Sequence, residues 1–196
     1  MTTTAPRPGR ALPEYGELPG YQAGTWTIDP VHSDLSFTAR HMMVSKVRGA
    51  FRTFAGEIVT ADNPLNSSAT ATIDISSIDT NNEQRDAHLR TSDFFDVEHH
   101  PTMTYRSTGL RVHGGDIVID GDLTLRGVTK TVPLRLEFNG IGPDAFGGTR
   151  AGFTATTTIN RRDFGVNWNA AIGSGGGVVV GDKIALHLEI EAVLNT

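Results

Sequence analysis

Residues 183–191, near the end of the chain, read KIALHLEIE and alternate apolar with polar side chains. Ile184, Leu186, Leu188 and Ile190 fall on one side of an extended backbone, and polar or charged side chains fall on the other. Successive side chains of a β-strand point to opposite faces. The segment therefore predicts a strand with one buried face and one exposed face.

The same period of two recurs along most of the chain. It predicts nine strands, bounded by turn-forming residues: Thr25–Asp29, Asp34–Met42, Val47–Thr60, Ser68–Ser77, Thr102–Thr108, Asp116–Leu125, Lys130–Asn139, Thr149–Asn160 and Asp182–Leu194. The pattern of the third strand slips by one residue near Thr53, which predicts a bulge at a sharp bend. So many short strands favour a sandwich or a barrel.

One segment, Asn82–Thr91, is predicted to be helical. Thr80 or Asn81 can cap it, Glu83 falls in its first turn, and no helix breaker follows before Thr91. The helix is short and polar, but large apolar residues follow at its end. We expect these residues to pack at a barrel mouth.

Composition limits the function. The chain has 196 residues, enough for one ordinary core, and a net charge of -5, which does not favour nucleic acid. Lys and Arg are scattered and no basic amphipathic helix is visible, so the sequence does not favour membrane-surface binding either. The chain has no cysteine, which excludes disulfides, thiolate metal sites and cysteine nucleophiles.

The first residues are rich in proline and glycine and contain no apolar run. We interpret residues 1–22 as a flexible arm and residues 23–196 as one barrel domain. A secretory signal needs an apolar segment after a basic start. We therefore expect a cytoplasmic protein without membrane insertion.

The seven histidines do not have the spacing of a metal site. His99 and His100 are adjacent and point apart in an extended chain, and no pair occupies neighbouring turns of a helix. Asp163-Phe164-Gly165 resembles a kinase motif by chance, since no phosphate-binding loop accompanies it. Neither an activated serine nor a suitable pair of acids is visible. We predict no metal and no catalytic residue.

Large apolar side chains are the remaining signal. There are more of them than the centre of a small barrel can pack, and an eight-stranded barrel has room for side chains or one small ligand. For any one of these residues, ordinary core packing is a simpler explanation than contact with a ligand. The set is compatible with a filled core or with a lined tunnel.

From about Thr25 to its end, the chain resembles the YceI family. The matching motifs, specific in this order and over this length, are Trp26-Thr27-Ile28-Asp29, His32-Ser33, Phe37, His41, Gly49-x-Phe51, Ser77-Ile78-x-Thr80, Arg85-Asp86-x-His88-Leu89-Arg90, Asp93-Phe94-Phe95, Pro101, Leu123-Thr124-Leu125-Arg126-Gly127-Val128-Thr129, Arg161-x-Asp163-Phe164-Gly165 and Gly176-Gly177 before Asp182.

The resemblance implies an all-β fold, an extended antiparallel eight-stranded lipocalin-like barrel with a short helix near one end. It also implies non-catalytic binding, storage or transport of an isoprenoid or similar amphiphilic lipid in an apolar tunnel. No cofactor is implied; a polyisoprenoid or isoprenoid-quinone-like lipid is the expected ligand, and a homodimer is compatible with the family. Arg161, Asp163, Asp86 and His88 are expected to form one polar network that anchors the helix.

The ligand-binding residues expected on this basis form the tunnel and its mouth. They are Phe37, His41, Met43, Phe51, Leu89, Phe94, Phe95, Met103, Tyr105, Ile119, Leu123, Leu136, Phe153, Phe164, Trp168 and Leu188.

Two other functions stay open on the sequence. One is a hydrolase or metal-assisted enzyme that uses Asp86, His88 or His32, although the chain shows no clear nucleophile or metal site. The other is a stress-related structural module with a filled core and no ligand.

Overall fold

The computed structural model describes residues 10–12, 15–42, 44–172 and 177–195. Its strands and its α-helix are β1 (Arg10–Leu12), β2 (Gly16–Leu18), β3 (Gly24–Ile28), β4 (Asp34–His41), β5 (Ser45–Phe51), β6 (Phe54–Thr60), β7 (Ser68–Asp74), β8 (Ile78–Asp79), α1 (Glu83–Arg90), β9 (Thr102–His113), β10 (Asp116–Leu125), β11 (Val128–Thr131), β12 (Leu134–Pro143), β13 (Thr149–Asn160), β14 (Ala171–Ile172), β15 (Gly177–Val178) and β16 (Val180–Leu194). In the described part of the chain, no helix is long and apolar enough to cross a membrane.

The strands close into an eight-stranded antiparallel barrel, which confirms the predicted fold class. The order around the barrel is β13-β12-β10-β9-β7-β6-β3-β16, and β13 pairs with β16 to complete the ring. Closure leaves the ring without free edges, so backbone pairing is satisfied all the way round.

The long strand β16 pairs with β13 along one edge and with two different strands along the other. Ala192–Leu194 pair with β3, whereas the preceding part of β16, from Val180 to Glu189, pairs with β4. Strands β5 and β8 continue the sheet outward from β4. One end of the barrel wall is therefore extended by the β4–β5 hairpin.

The predicted strand Val47–Thr60 is two strands. Strand β5 ends at Phe51 and β6 begins at Phe54. The residues between them leave the ladder, and Ser77 Oγ accepts hydrogen bonds from the backbone N–H groups of Arg52 and Thr53, at 3.1 and 3.0 Å. The phase slip near Thr53 marks a corner where the chain changes partners, from β4 to β3, rather than a bulge within one strand.

The helix forms where the sequence predicts it, but a different residue caps it. It spans Glu83–Arg90, and the side chain of Asn82 accepts a hydrogen bond from the Arg85 N–H at 2.9 Å. Thr80 instead binds the buried Asp86 carboxylate through its backbone N–H, at 3.0 Å. Asn82 can cap because its extended backbone aims the short amide at the first turn, a role that sequence alone divides among neighbouring polar residues.

Two clusters of buried side chains occupy the two ends of the barrel. Leu125, at the end of β10, belongs to the cluster that packs beneath α1, and Ile117, near its start, belongs to the second cluster. The second cluster also contains Leu12 and Leu18, which are 6% and 2% exposed. These leucines come from β1 and β2, a hairpin within the segment predicted as a flexible arm. The described part of that segment thus covers one end of the barrel.

Candidate functional site

An apolar cavity of about 190 Å³ lies inside the barrel. Its wall is formed mainly by residues that belong to the two clusters or pack against them. Leu35, Phe54, Ile73, Leu134 and Ile190 are among them. The period-two alternation of each strand puts one apolar side chain in every two on this wall.

The wall offers little polar chemistry. None of the described residues that line the cavity is charged. Thr60 is the buried polar group, and its hydroxyl accepts from the Trp26 indole N–H and donates to the Gln22 carbonyl, both at 2.8 Å. Because that hydroxyl already has its partners, the cavity is suited to apolar groups, which exclude water and need no hydrogen bonds.

Tyr105 is the largest polar side chain predicted in the tunnel, and it does line the cavity. Its hydroxyl lies 3.2 Å from the carbonyl oxygens of both Ile119 and Val132, so its hydrogen-bonding capacity is used within the wall. Burial, and then the nearby Asp120 and Asp122 carboxylates, raise the pKa of this phenol far above its usual value. Tyr105 is therefore a neutral, mainly apolar part of the wall.

Seven of the sixteen predicted ligand-binding residues line the cavity. They are Met103, Tyr105, Ile119, Leu123, Leu136, Phe153 and Leu188. All seven lie on strands of the closed ring, where the alternation alone decides which side chains face inward. Their contact with a ligand stays a prediction.

Five other predicted residues lie in or against the cluster beneath α1: Phe37, Phe51, Leu89, Phe95 and Phe164. The Phe37 and Phe51 ring centroids are 5.7 Å apart, and those of Phe51 and Phe95 are 6.2 Å apart. The resemblance implies Leu89 and Phe95 at the barrel mouth and Phe37 and Phe51 on the tunnel wall, but none of the five lines the cavity. All five fill the helix end of the barrel. The backbone N–H groups of residues 94–97 donate to carbonyls of residues 89–91 at the end of α1, and these bonds hold Phe95 against the helix.

Phe94 and Trp168 form a separate aromatic group with His88. The centroid of the His88 ring lies 5.1 Å from that of Phe94 and 4.9 Å from that of Trp168, both edge to face. His41 lies at the end of β4, paired with Ser45, and does not line the cavity. Met43 lies outside the described residues.

Several residues that line the cavity are not among those predicted from the sequence. Leu12, Leu18 and Tyr21 come from the segment before the first predicted strand, and Ala69 and Ala71 come from β7. The alanines could have been found, since residues 68–73 read SATATI and put two small side chains on the inward face. Small residues facing inward leave space, a signal that a search for large apolar residues overlooks.

The four residues expected to form one polar network do not do so. Asp86 binds Thr80, whereas His88 Nε2 lies 2.8 Å from the Asp93 carboxylate. Buried Arg161 donates to the carbonyls of Val166, Trp168, Val180 and Gly181 and to Asp182. Asp163 is exposed. Asp86 thus fastens the helix, while Arg161 binds residues 166–168 and 180–182, because each element meets a different set of unpaired backbone groups.

Asp29, His32 and Glu191 offer three potential metal-ligand atoms within 4.8 Å of one another. The guanidinium of Arg150 already lies between the two carboxylates, 2.7 Å from Asp29 Oδ2 and in contact with Glu191 Oε1. Hydrogen bonds from Arg150, and then from His32, hold the pKa of the Asp29 carboxyl well below its usual range. The group is built as an ion-pair cluster around an arginine.

The sequence matches the YceI-like domain family over residues 26–192. A UPF0312 protein of Staphylococcus epidermidis is 40% identical over 168 residues, which cover 85% of this chain and 95% of that protein.

Solved structures share the barrel. The YceI protein of Campylobacter jejuni superimposes with a TM-score of 0.67 at 28% identity, covering 80% of this chain and 90% of that one. A polyisoprenoid binding domain from Saccharophagus degradans gives a TM-score of 0.65 at 15% identity, covering 89% of this chain and all of that one. By the extent of its sequence match and by its barrel, the chain belongs to the YceI-like family.

Proposed function

We propose that this protein binds the apolar tail of an isoprenoid or similar amphiphilic lipid in the barrel cavity, and stores or carries it without chemical change. The proposal rests on the cavity of about 190 Å³. None of the residues that the structure describes on its wall is charged. The polyisoprenoid binding domain of S. degradans, which shares the fold, supports the ligand class.

The volume limits how much of a lipid the closed barrel encloses. A cavity of about 150 Å³ is known to hold one benzene molecule, so this cavity holds roughly eight carbon atoms. At about 0.8 kcal/mol per buried methylene, that gain is about 6 kcal/mol, against an association cost of about 4–15 kcal/mol. Tight binding of a long chain therefore needs side chains at one end of the barrel to move aside.

Binding of short prenyl alcohols tests the proposal. Ala71 lines the cavity, so Ala71→Phe fills it, whereas Thr72→Phe on the same strand adds the same ring on the exposed face. We expect isothermal titration calorimetry to show binding of geraniol and farnesol by the native protein and by Thr72→Phe, and a loss of at least tenfold for Ala71→Phe. Absence of binding by the native protein, with no lipid in an organic extract of freshly purified material, would refute the proposal.

The enzyme alternative has weaker support in the geometry. The carboxylate of Asp29 lies 2.8 Å from His32 Nδ1, as an acid–base pair requires. The nearby Ser33 hydroxyl, however, donates to the Glu191 carbonyl at 3.1 Å and accepts from the Glu191 N–H at 2.9 Å. It binds both backbone groups of Glu191 on β16 and does not contact the imidazole through these bonds. We therefore assign this cluster to stability.

A further inference from the structure

The turn that joins β4 to β5 exposes apolar side chains. Val44 is 86% exposed and Met42 is 45% exposed, and they are two of the four large apolar residues exposed in the described part of the chain. Met42 and Val44 are each held by a backbone hydrogen bond: the Met42 N–H donates to the Val179 carbonyl at 2.9 Å, and the Val44 N–H donates to the His41 carbonyl at 3.1 Å. The exposed side chains are thus carried by an ordered projection.

Basic side chains surround the base of this turn. Arg40, Lys46, Arg48 and Lys183 are all exposed and line one depression on the outer face of the sheet. They come from three adjacent strands, β4, β5 and β16, so residues far apart in sequence form one cationic surface.

The cationic surface has no acidic partner among the described ion pairs. The one carboxylate in the depression, Asp182, lies 3.1 Å from Arg161 and 2.8 Å from Arg162. Arg40 lies directly opposite Lys46 in the ladder, and like charges in that position destabilise a sheet. A protein of net charge -5 thus maintains four cations on one face at a cost in stability.

We propose that the β4–β5 turn docks this protein onto the surface of an anionic lipid bilayer. Met42 and Val44 enter the interfacial region, while Arg40, Lys46, Arg48 and Lys183 contact lipid phosphates. An apolar tip with a basic rim is the arrangement that binds such a surface. Each basic side chain near an anionic membrane contributes about a fivefold gain in affinity, so the four act strongly only together.

The apolar tip distinguishes a bilayer from other polyanions. A nucleic acid would use the four cations, but an aliphatic tip offers it neither hydrogen bonds to base edges nor an aromatic stacking surface. A second copy of this surface would bring like charges together. Docking does not depend on a ligand in the cavity, so this proposal and the proposed function can fail separately.

Flotation with lipid vesicles tests the proposal on the full chain. We expect binding to vesicles of 70% phosphatidylcholine and 30% phosphatidylglycerol, little binding to pure phosphatidylcholine, and a loss of most binding in 0.5 M NaCl. Lys46→Glu with Arg48→Glu should reduce the affinity at least tenfold, and Val44→Ser should reduce it severalfold. The controls Lys130→Glu and Val31→Ser, exposed residues elsewhere on the surface, should change it less than twofold.

Three results would overturn the proposal, once circular dichroism shows that the variants fold. One is equal binding to both kinds of vesicle or to neither. A second is an equal loss for Lys130→Glu and a single charge reversal at Arg48, which would mean that only net charge matters. The third is binding to a DNA oligonucleotide as tight as to vesicles and unchanged by Val44→Ser, which would identify a polyanion site. Ala71→Phe, which fills the cavity, should dock normally.

Discussion

Gly121 on β10 leaves the space that the ring of Tyr105 occupies on β9. A methyl group built at Gly121 would overlap the Cζ and hydroxyl oxygen of Tyr105. The register of the two strands shifts between Asp120 and Gly121, so the ladder is irregular at the point where the ring passes. A partly buried aromatic residue of the cavity wall is thus accommodated by the absence of a side chain on the neighbouring strand.

Gly121→Ala should therefore destabilise the protein by about 1–3 kcal/mol, the usual cost of overpacking a core. The measurement is the free energy of unfolding in urea. Gly109→Ala is the matched control, because a methyl group there meets nothing within 4 Å on the same pair of strands. Adding Tyr105→Val to Gly121→Ala should reduce the cost of the Ala substitution but not remove it, because the methyl group would also lie 2.8 Å from the backbone oxygen of Arg106. An unchanged cost would show that the ring does not contribute to the clash.

Thr60→Val should cost about 1–3 kcal/mol, because it leaves the fully buried indole N–H of Trp26 without a partner. The two side chains have nearly the same shape, so packing is preserved. Thr72→Val, on the exposed face of β7, serves as the control and should change the free energy of unfolding by less than 0.5 kcal/mol. Equal losses in the two variants would contradict the importance of this hydrogen bond.

The cluster around Arg150 should make stability depend on acid. The pKa of Asp29 is lowered from 3.8 in the folded protein, so its contribution is fully present above that value and is lost as the pH falls below about 4 towards the folded pKa. Urea unfolding of the native protein and Arg150→Met, measured from pH 7 to pH 3, should show a difference that shrinks with acid. Arg135→Met, which removes an exposed pair with Asp116, should cost little at any pH. A constant difference for Arg150→Met would exclude this linkage.

Leu18→Ala should enlarge the cavity at the β1–β2 end, since this side chain lines the cavity and is only 2% exposed. The variant should lose about 2–5 kcal/mol of stability. It should also gain affinity for farnesol relative to geraniol, because more carbon fits inside. Titration of both alcohols measures this ratio, and Leu194→Ala, in the same cluster but away from the cavity wall, is the control. A ratio equal in both variants would mean that the hairpin does not limit chain length.

The alternating pattern of apolar and polar residues predicts most of the fold. Alternation at Ile184–Glu191 and in its counterparts predicts strands, and it also predicts which side chains face inward on the closed ring. This explains why Ile119, Leu123, Leu136 and Leu188 do lie on the cavity wall. Period-two patterning depends only on backbone geometry, so it can be read without knowing which strands pair.

The strand pattern does not predict the barrel mouth or the polar contacts near the helix. Phe51 and Phe95 fill the helix end, and Arg161 and Asp86 serve different segments, because their environments depend on how loops return to the barrel. Whether Leu12 and Leu18 pack against the barrel likewise depends on the path of the hairpin, and no local periodicity encodes that path.

The sequence by itself thus determined an all-β chain whose apolar faces must be buried together, because alternating side chains leave no other way to remove them from water. Only the tertiary structure decided that these faces leave a cavity and which residues line it. It also gathered Arg40, Arg48 and Lys183, which look scattered along the chain, onto one face. Long-range strand pairing places distant residues side by side, and that proximity is a property of the closed barrel rather than of any segment.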